Sequence, residues 1–167
     1  MENIWAAATM FYAPLRAAQE LTSQVIELDK QMTTLVRVSN GEIDRAHILQ
    51  QSIDLADRLS NRILDINEGI QLFARQGFRG DGLIAMTEAA TMFSNISEMN
   101  VDEAASGITA IVNGFREVPE YAKVAVDAIN EVDNNFAISS QDIVSSVQKS
   151  VGSANTFGRN AAFLRNH

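Results

Sequence analysis

Cysteine is absent from this 167-residue chain, and histidine occurs only twice. Without cysteine the chain can form no disulfide framework, no thiolate metal site and no cysteine nucleophile. Two histidines, with no Glu-x-x-His pair, fall short of a zinc or a di-iron site. The paired acids Asp102 and Glu103 fall in a predicted first helical turn, where negative charge favours the exposed N–H groups. We therefore predict no catalytic residue, no metal and no cofactor, and expect that the chain is not an enzyme.

Basic residues and long apolar runs are also scarce. The chain has 13 Lys and Arg against 21 Asp and Glu, a formal net charge of −8. Because Lys and Arg supply most non-specific affinity for nucleic acid, we expect no direct nucleic-acid binding by this region. No stretch approaches the roughly eighteen apolar residues of a membrane-spanning helix, so we expect no membrane segment in this region.

Helical periodicity is the dominant pattern near the start of the chain. Apolar residues spaced three and four apart predict a helix from about Leu15 to Val38. Pro14 fits this helix only as a kink or within its first turn. Ser39-Asn40-Gly41 is expected to end it, because Asn and Gly accept left-handed backbone. The stripe consists of Ala18, Leu21, Val25, Leu28, Met32 and Leu35.

A second stripe predicts a longer helix from about Glu42 to about Gln76, roughly 50 Å at about 1.5 Å per residue. A helix of this length cannot be wrapped by so small a globule. It pairs either with the first helix as a hairpin or with another chain as a coiled coil, and the short connection favours the hairpin. The candidate protein-interaction stripe on this helix is Leu59, Ile63, Ile66, Ile70 and Phe73.

Shorter helices are predicted after a glycine-rich turn at residues 77–82, and a last weak helical stretch is predicted at about 154–164. No run alternates with period two for long enough to predict a strand. The predicted class is all-α, with a long-helix pair at residues 1–76 and a short-helix array at 77–167 in one continuous fragment. Starts of the short helices are marked by Asn100 with Glu103, by Pro119, and by Ser139 with Asp142.

Four sequence blocks match a known family in order and spacing. The blocks are 72–78, 87–95, 99–104 and 130–143, and the similarity extends upstream into 27–32 and covers about residues 20–158. This pattern resembles the conserved helical region of phage tail tape-measure proteins. No catalytic, metal-binding or nucleotide-binding residue is carried over with the resemblance.

The resemblance implies a structural role. Proteins of that family assemble with chaperones in the bacterial host cytoplasm, lie in the lumen of the virion tail, and leave it ahead of the DNA. They serve as the template for tail-tube assembly and determine tail length, since a helical chain lengthens by about 1.5 Å per residue. The implied partners are tail-tube proteins and tail-assembly chaperones, and self-association is a further expectation.

Alternatives to this function remain. The chain is shorter than the usual member of that family, so it is an excised piece of a longer protein, a truncated prophage remnant or a short relative. The alternative function is a short tape-measure-like regulatory or interfering protein that binds tail components or chaperones. A lytic enzyme of the tail is a further rival, which lacks a convergent acid pair.

Overall fold

The computed structural model describes residues 3–97, 99–115, 118–135 and 139–151. These residues form helices and connections without a β-strand, which confirms the predicted all-α class. Residues 140–151 are helical and are named α7; the helix predicted at about 154–164 lies outside the described residues. The other helices are α1 (Asn3–Val38), α2 (Arg45–Leu59), α3 (Ile63–Arg75), α4 (Gly80–Ile96), α5 (Val101–Phe115) and α6 (Ala122–Asn135), the last preceded by a 3₁₀ turn at Pro119–Tyr121.

Of the two long helices predicted near the start of the chain, the first forms as one piece. With 36 residues, α1 is about 54 Å long at about 1.5 Å per residue. It begins upstream of the predicted start at Leu15 and continues through Pro14. It ends as predicted, because Asn40 and Gly41 take left-handed backbone with φ of 54° and 78°.

The prediction of a second long helix is wrong, because residues 60–62 separate α2 from α3. Ser60 adopts a left-handed conformation with φ of 56°, and Arg62 is extended. The side-chain amides of Asn61 and Asn95 bond reciprocally at 2.9 and 3.2 Å, and Asn95 Nδ2 also donates to the Leu59 carbonyl oxygen at 3.2 Å. A residue of α4 thus satisfies a carbonyl that the end of α2 leaves free.

The centre of the fold is α4, which contacts α2, α3, α5, α6 and the 3₁₀ turn. Small buried residues such as Ala89 and Ala105 let the helices approach closely. The core extends from Met32 in α1 to Val144 in α7 and so contains residues on both sides of position 76. The division of the chain at that position stays a prediction. The largest side chains in the core include Phe73, Phe93, Leu55, Ile66, Ile70, Leu83, Met86 and Ile108.

Local capping residues start the short helices as the sequence predicts. Asn100 Oδ1 accepts from the Glu103 N–H at 2.9 Å, and Glu103 Oε2 accepts from the Asn100 N–H at 3.1 Å, which is a reciprocal capping box. Ser139 Oγ accepts from the Asp142 N–H at 3.1 Å at the start of α7. Pro119 lies in the first turn of the 3₁₀ segment. These starts depend on residues within three positions of one another, so the sequence alone reveals them.

Glycine brings α5 and α7 together. A Cβ at Gly107 would lie 2.6 Å from Val144 Cγ1, and one at Gly114 would lie 2.2 Å from Val151 Cγ2. Both pairs advance by seven residues in the same direction, so the two helices run parallel and in register. The valines of α7 fill the space that the missing side chains of α5 leave.

We predict that Gly107→Ala destabilises the chain by about 1–2 kcal/mol. Ala favours a helix by up to about 1 kcal/mol over Gly, but overpacking against Val144 costs about 1–3 kcal/mol. In a Val144→Ala background the clash disappears, and the same substitution becomes neutral or stabilising. Urea unfolding of the four chains of this cycle measures the coupling, and strictly additive free energies would contradict the close approach of α5 and α7.

Candidate protein-interaction surface

The stripe predicted to bind a partner is buried or partly buried in the fold. Ile66, Ile70 and Phe73 are all 0% exposed, and Leu59 and Ile63 are partly buried against the same core. The helix that carries most of them, α3, packs against α1, α2, α4 and α5. The structure therefore covers this stripe with the chain's own helices. Its role in binding another protein stays a prediction, one that requires α3 to leave the core.

An exposed apolar surface lies instead on α1. Leu21 and Val25 are 64% and 65% exposed, and the adjoining Ile26 is 51% exposed. We name these three residues the α1 apolar surface. Further along the same stripe, Met32 and Leu35 are only 1% exposed. One heptad pattern thus changes from exposed to buried between Val25 and Met32.

Polar contacts fix the buried part of α1. Gln31 Nε2 donates to the Leu64 carbonyl oxygen of α3 at 3.2 Å. The Asp29 carboxylate pairs with the Arg45 guanidinium at the start of α2. Such an exposed ion pair adds little stability. From Asp29 onwards α1 is therefore held against α2 and α3.

Helix lengths explain why part of the α1 stripe stays uncovered. With 13 residues, α3 is about 20 Å long, whereas α1 is about 54 Å long. A short helix packed against a long one can cover only part of its stripe. Both stripes can be recognised in the sequence. The break at residues 60–62 cannot be recognised from the apolar spacing, and this break is what shortens α3, the helix that covers α1.

Charged groups near these helices have structural roles. Glu103 belongs to the capping box at the start of α5. A hydrogen bond from Arg62 to Asp65 and the charge of that carboxylate raise the pKa of the Arg62 guanidinium. Within the described ranges, no three His, Cys, Asp or Glu residues come together as a metal site requires. Among the helices that the structure describes, none combines the length and hydropathy needed to cross a membrane.

Comparison of the sequence with models of known protein families gives a match. A family model described as Phage-related minor tail protein matches residues 50–162, which is more than half of the chain. The matched range begins within α2 and includes α3–α6, so it contains most of the core around α4. No solved structure matches the chain.

Proposed function

Because this chain belongs to the phage-related minor tail protein family, it has a structural role in a phage tail, and we propose that it is part of a tape-measure protein. In this role the chain is a helical template for tail-tube assembly, and its length contributes to the length of the tail. The four sequence blocks that resemble tape-measure proteins support the proposal. All four blocks lie wholly within the range that the family model matches.

The observation that carries the proposal is the form of α1. It is a single helix of 36 residues whose apolar side chains are exposed in the α1 apolar surface and buried at Met32 and Leu35. A continuous helix converts residue number into length at about 1.5 Å per residue, as a ruler requires. An apolar stripe on such a rod needs a partner surface to cover it. We propose that tail-tube proteins, assembly chaperones or further copies of the chain provide that cover.

The negative net charge of the chain supports a location in the lumen of the tail. With a formal net charge of −8, the chain repels the phosphates of DNA that passes through the same lumen. The chain is then assembled with its chaperones in the host cytoplasm, enclosed by the tube, and released ahead of the DNA at ejection.

In an extended template the stripe of Leu59, Ile63, Ile66, Ile70 and Phe73 would serve as a second contact surface.

We predict that lengthening α1 lengthens the tail in proportion. Each additional tandem copy of residues 19–32 preserves the heptad phase and adds about 21 Å of helix at about 1.5 Å per residue. Phage that carry one, two or three extra copies should show a linear increase in mean tail length in electron micrographs. The unaltered gene in the same host provides the reference length.

The alternative function gives a different result in the same experiment. A regulatory protein that binds tail components or chaperones would change the number of tails without changing their length. Tails of unchanged length in all three insertion strains would therefore reject the ruler. A family role in the tail would still hold in that case, since it does not depend on measuring length.

A further inference from the structure

An open apolar groove of about 420 Å³ lies where α5, α6 and α7 meet. This volume is within the range of sites that take a ligand or the side chains of a bound helix. The groove is distinct from the α1 apolar surface, and the proposed tape-measure role makes no use of it. Its lining includes Ile111, Tyr121, Val124, Ala128, Ile129 and Val147.

Exposed apolar side chains of the groove lining belong to a row that runs from the 3₁₀ turn along α6. Tyr121 and Val124 are 56% and 60% exposed, and Val132 is 38% exposed. Val118, just before the 3₁₀ turn, is 50% exposed. Steps of three, four and four residues from Tyr121 through Val124 and Ala128 to Val132 place these residues on one side of the helix. Contiguous exposed apolar surface of this kind marks an interaction site more often than scattered residues do.

Charges next to the groove select the kind of partner. Asp127 and Glu131 lie three and seven residues after Val124 on α6, and Lys123 is the basic residue beside them. This acidic excess disfavours a second copy that docks through the same face, because like charges would meet. The α1 apolar surface of a second copy offers no excess of basic residues, since Glu20 and Glu27 lie beside it and the nearby Lys30 already pairs with Glu27 at 3.4 Å.

We propose that this groove binds an amphipathic helix of another protein whose apolar face is flanked by Lys or Arg. Apolar residues at positions i, i+3 or i+4, and i+7 of that helix fill the space between α5, α6 and α7. Its basic flanks face Asp127 and Glu131. The apolar lining provides affinity, and the charged rim gives the preference for a basic partner.

A pair of synthetic helical peptides tests the proposal with the full-length chain. Both carry Leu along one face, and their flanks carry Lys in one peptide and Glu in the other. In fluorescence anisotropy titrations we expect the Lys peptide to bind at least about tenfold more tightly than the Glu peptide. Val124→Glu should weaken binding of the Lys peptide by about tenfold or more, since it places a charge within the apolar contact.

Ile96→Glu at the end of α4 is the matched control, because Ile96 is exposed like Val124 (46% and 60%) and belongs neither to the groove lining nor to the α1 apolar surface. It should leave binding of the Lys peptide unchanged. Absence of binding, equal affinity for both peptides, or equal weakening by the two substitutions would overturn the proposal. Binding that appears only after Phe157→Asp and Leu164→Asp would also overturn it, by showing that residues 152–167 compete for the groove. None of these results depends on tail length, so they leave the proposed function untouched.

Discussion

Replacing Ile70 with Asp is expected to unfold the chain. Ile70 is 0% exposed and belongs to the core that α3 forms with the helices around it. A carboxylate without a partner in such a site costs at least about 3–5 kcal/mol, and the lost apolar contacts add to that cost. Because a domain of this size is stabilised by only about 5–15 kcal/mol, most of the folded population is lost. Far-ultraviolet circular dichroism during urea unfolding measures the effect.

Two further variants separate burial from other causes. Ile70→Val keeps the site apolar and should lower the free energy of unfolding by only about 0.5–1.5 kcal/mol. Val25→Asp introduces the same charge on the exposed face of α1 and should change it by less than about 0.5 kcal/mol. An Ile70→Asp chain as stable as the Val25→Asp chain would show that α3 is not packed as the structure describes.

Because the predicted stripe is buried, an assembly experiment with variants of it needs a different interpretation. Asp substitutions at Ile63 and Ile70 would abolish self-association simply by unfolding the chain. Loss of assembly in such variants therefore cannot identify a contact surface. Substitutions on α1 can do so, because its exposed residues do not contribute to the core.

Features set by nearby residues could be predicted from the sequence. The capping box of Asn100 and Glu103 and the left-handed turn at Asn40 and Gly41 depend on residues within a few positions of one another. The all-α class follows from apolar spacing in the same way. In each case the local physical chemistry leaves few alternatives, and the fold agrees with it.

The break between α2 and α3 could not be predicted, since it depends on distant residues. The spacing of four from Leu59 to Ile63 continues the stripe as though the helix were unbroken. The end of α2 is held by Asn95, which lies 36 residues away from the carbonyl of Leu59 that it bonds. On the two sides of the turn, Ser52 of α2 and Asn67 of α3 meet in the buried contact between these helices, with 2.7 Å between Oγ and Oδ1.

The location of the exposed surface follows from that break. Apolar spacing shows that a helix face needs cover, but it does not show which residues provide the cover. Once residues 60–62 turn the chain, α1, α2, α4 and α5 bury α3, which carries most of the stripe that the sequence assigns to a partner. The residues left exposed belong to the other stripe, on α1, around Leu21 and Val25.

Replacing both Leu21 and Val25 with Asp is expected to abolish tail assembly while the chain stays folded. If a partner buries these side chains, each contributes about 1.5–3 kcal/mol to binding. Their joint loss then weakens the contact by about a hundredfold to about ten-thousand-fold. Titres of infectious phage and counts of intact tails in electron micrographs measure the effect in the host. Urea unfolding of the purified chain should change little, because the two side chains are 64% and 65% exposed.

The conservative variant Leu21→Met with Val25→Ile is the control for this experiment. It retains an apolar face of similar volume and should leave titre and tail number close to those of the unaltered phage. Normal assembly by the Asp variant would exclude the α1 apolar surface as a contact. Assembly lost in both variants would point to a requirement for these two side chains themselves. The expected pattern, loss with Asp and retention with Met and Ile, follows only if an apolar partner surface covers the α1 apolar surface.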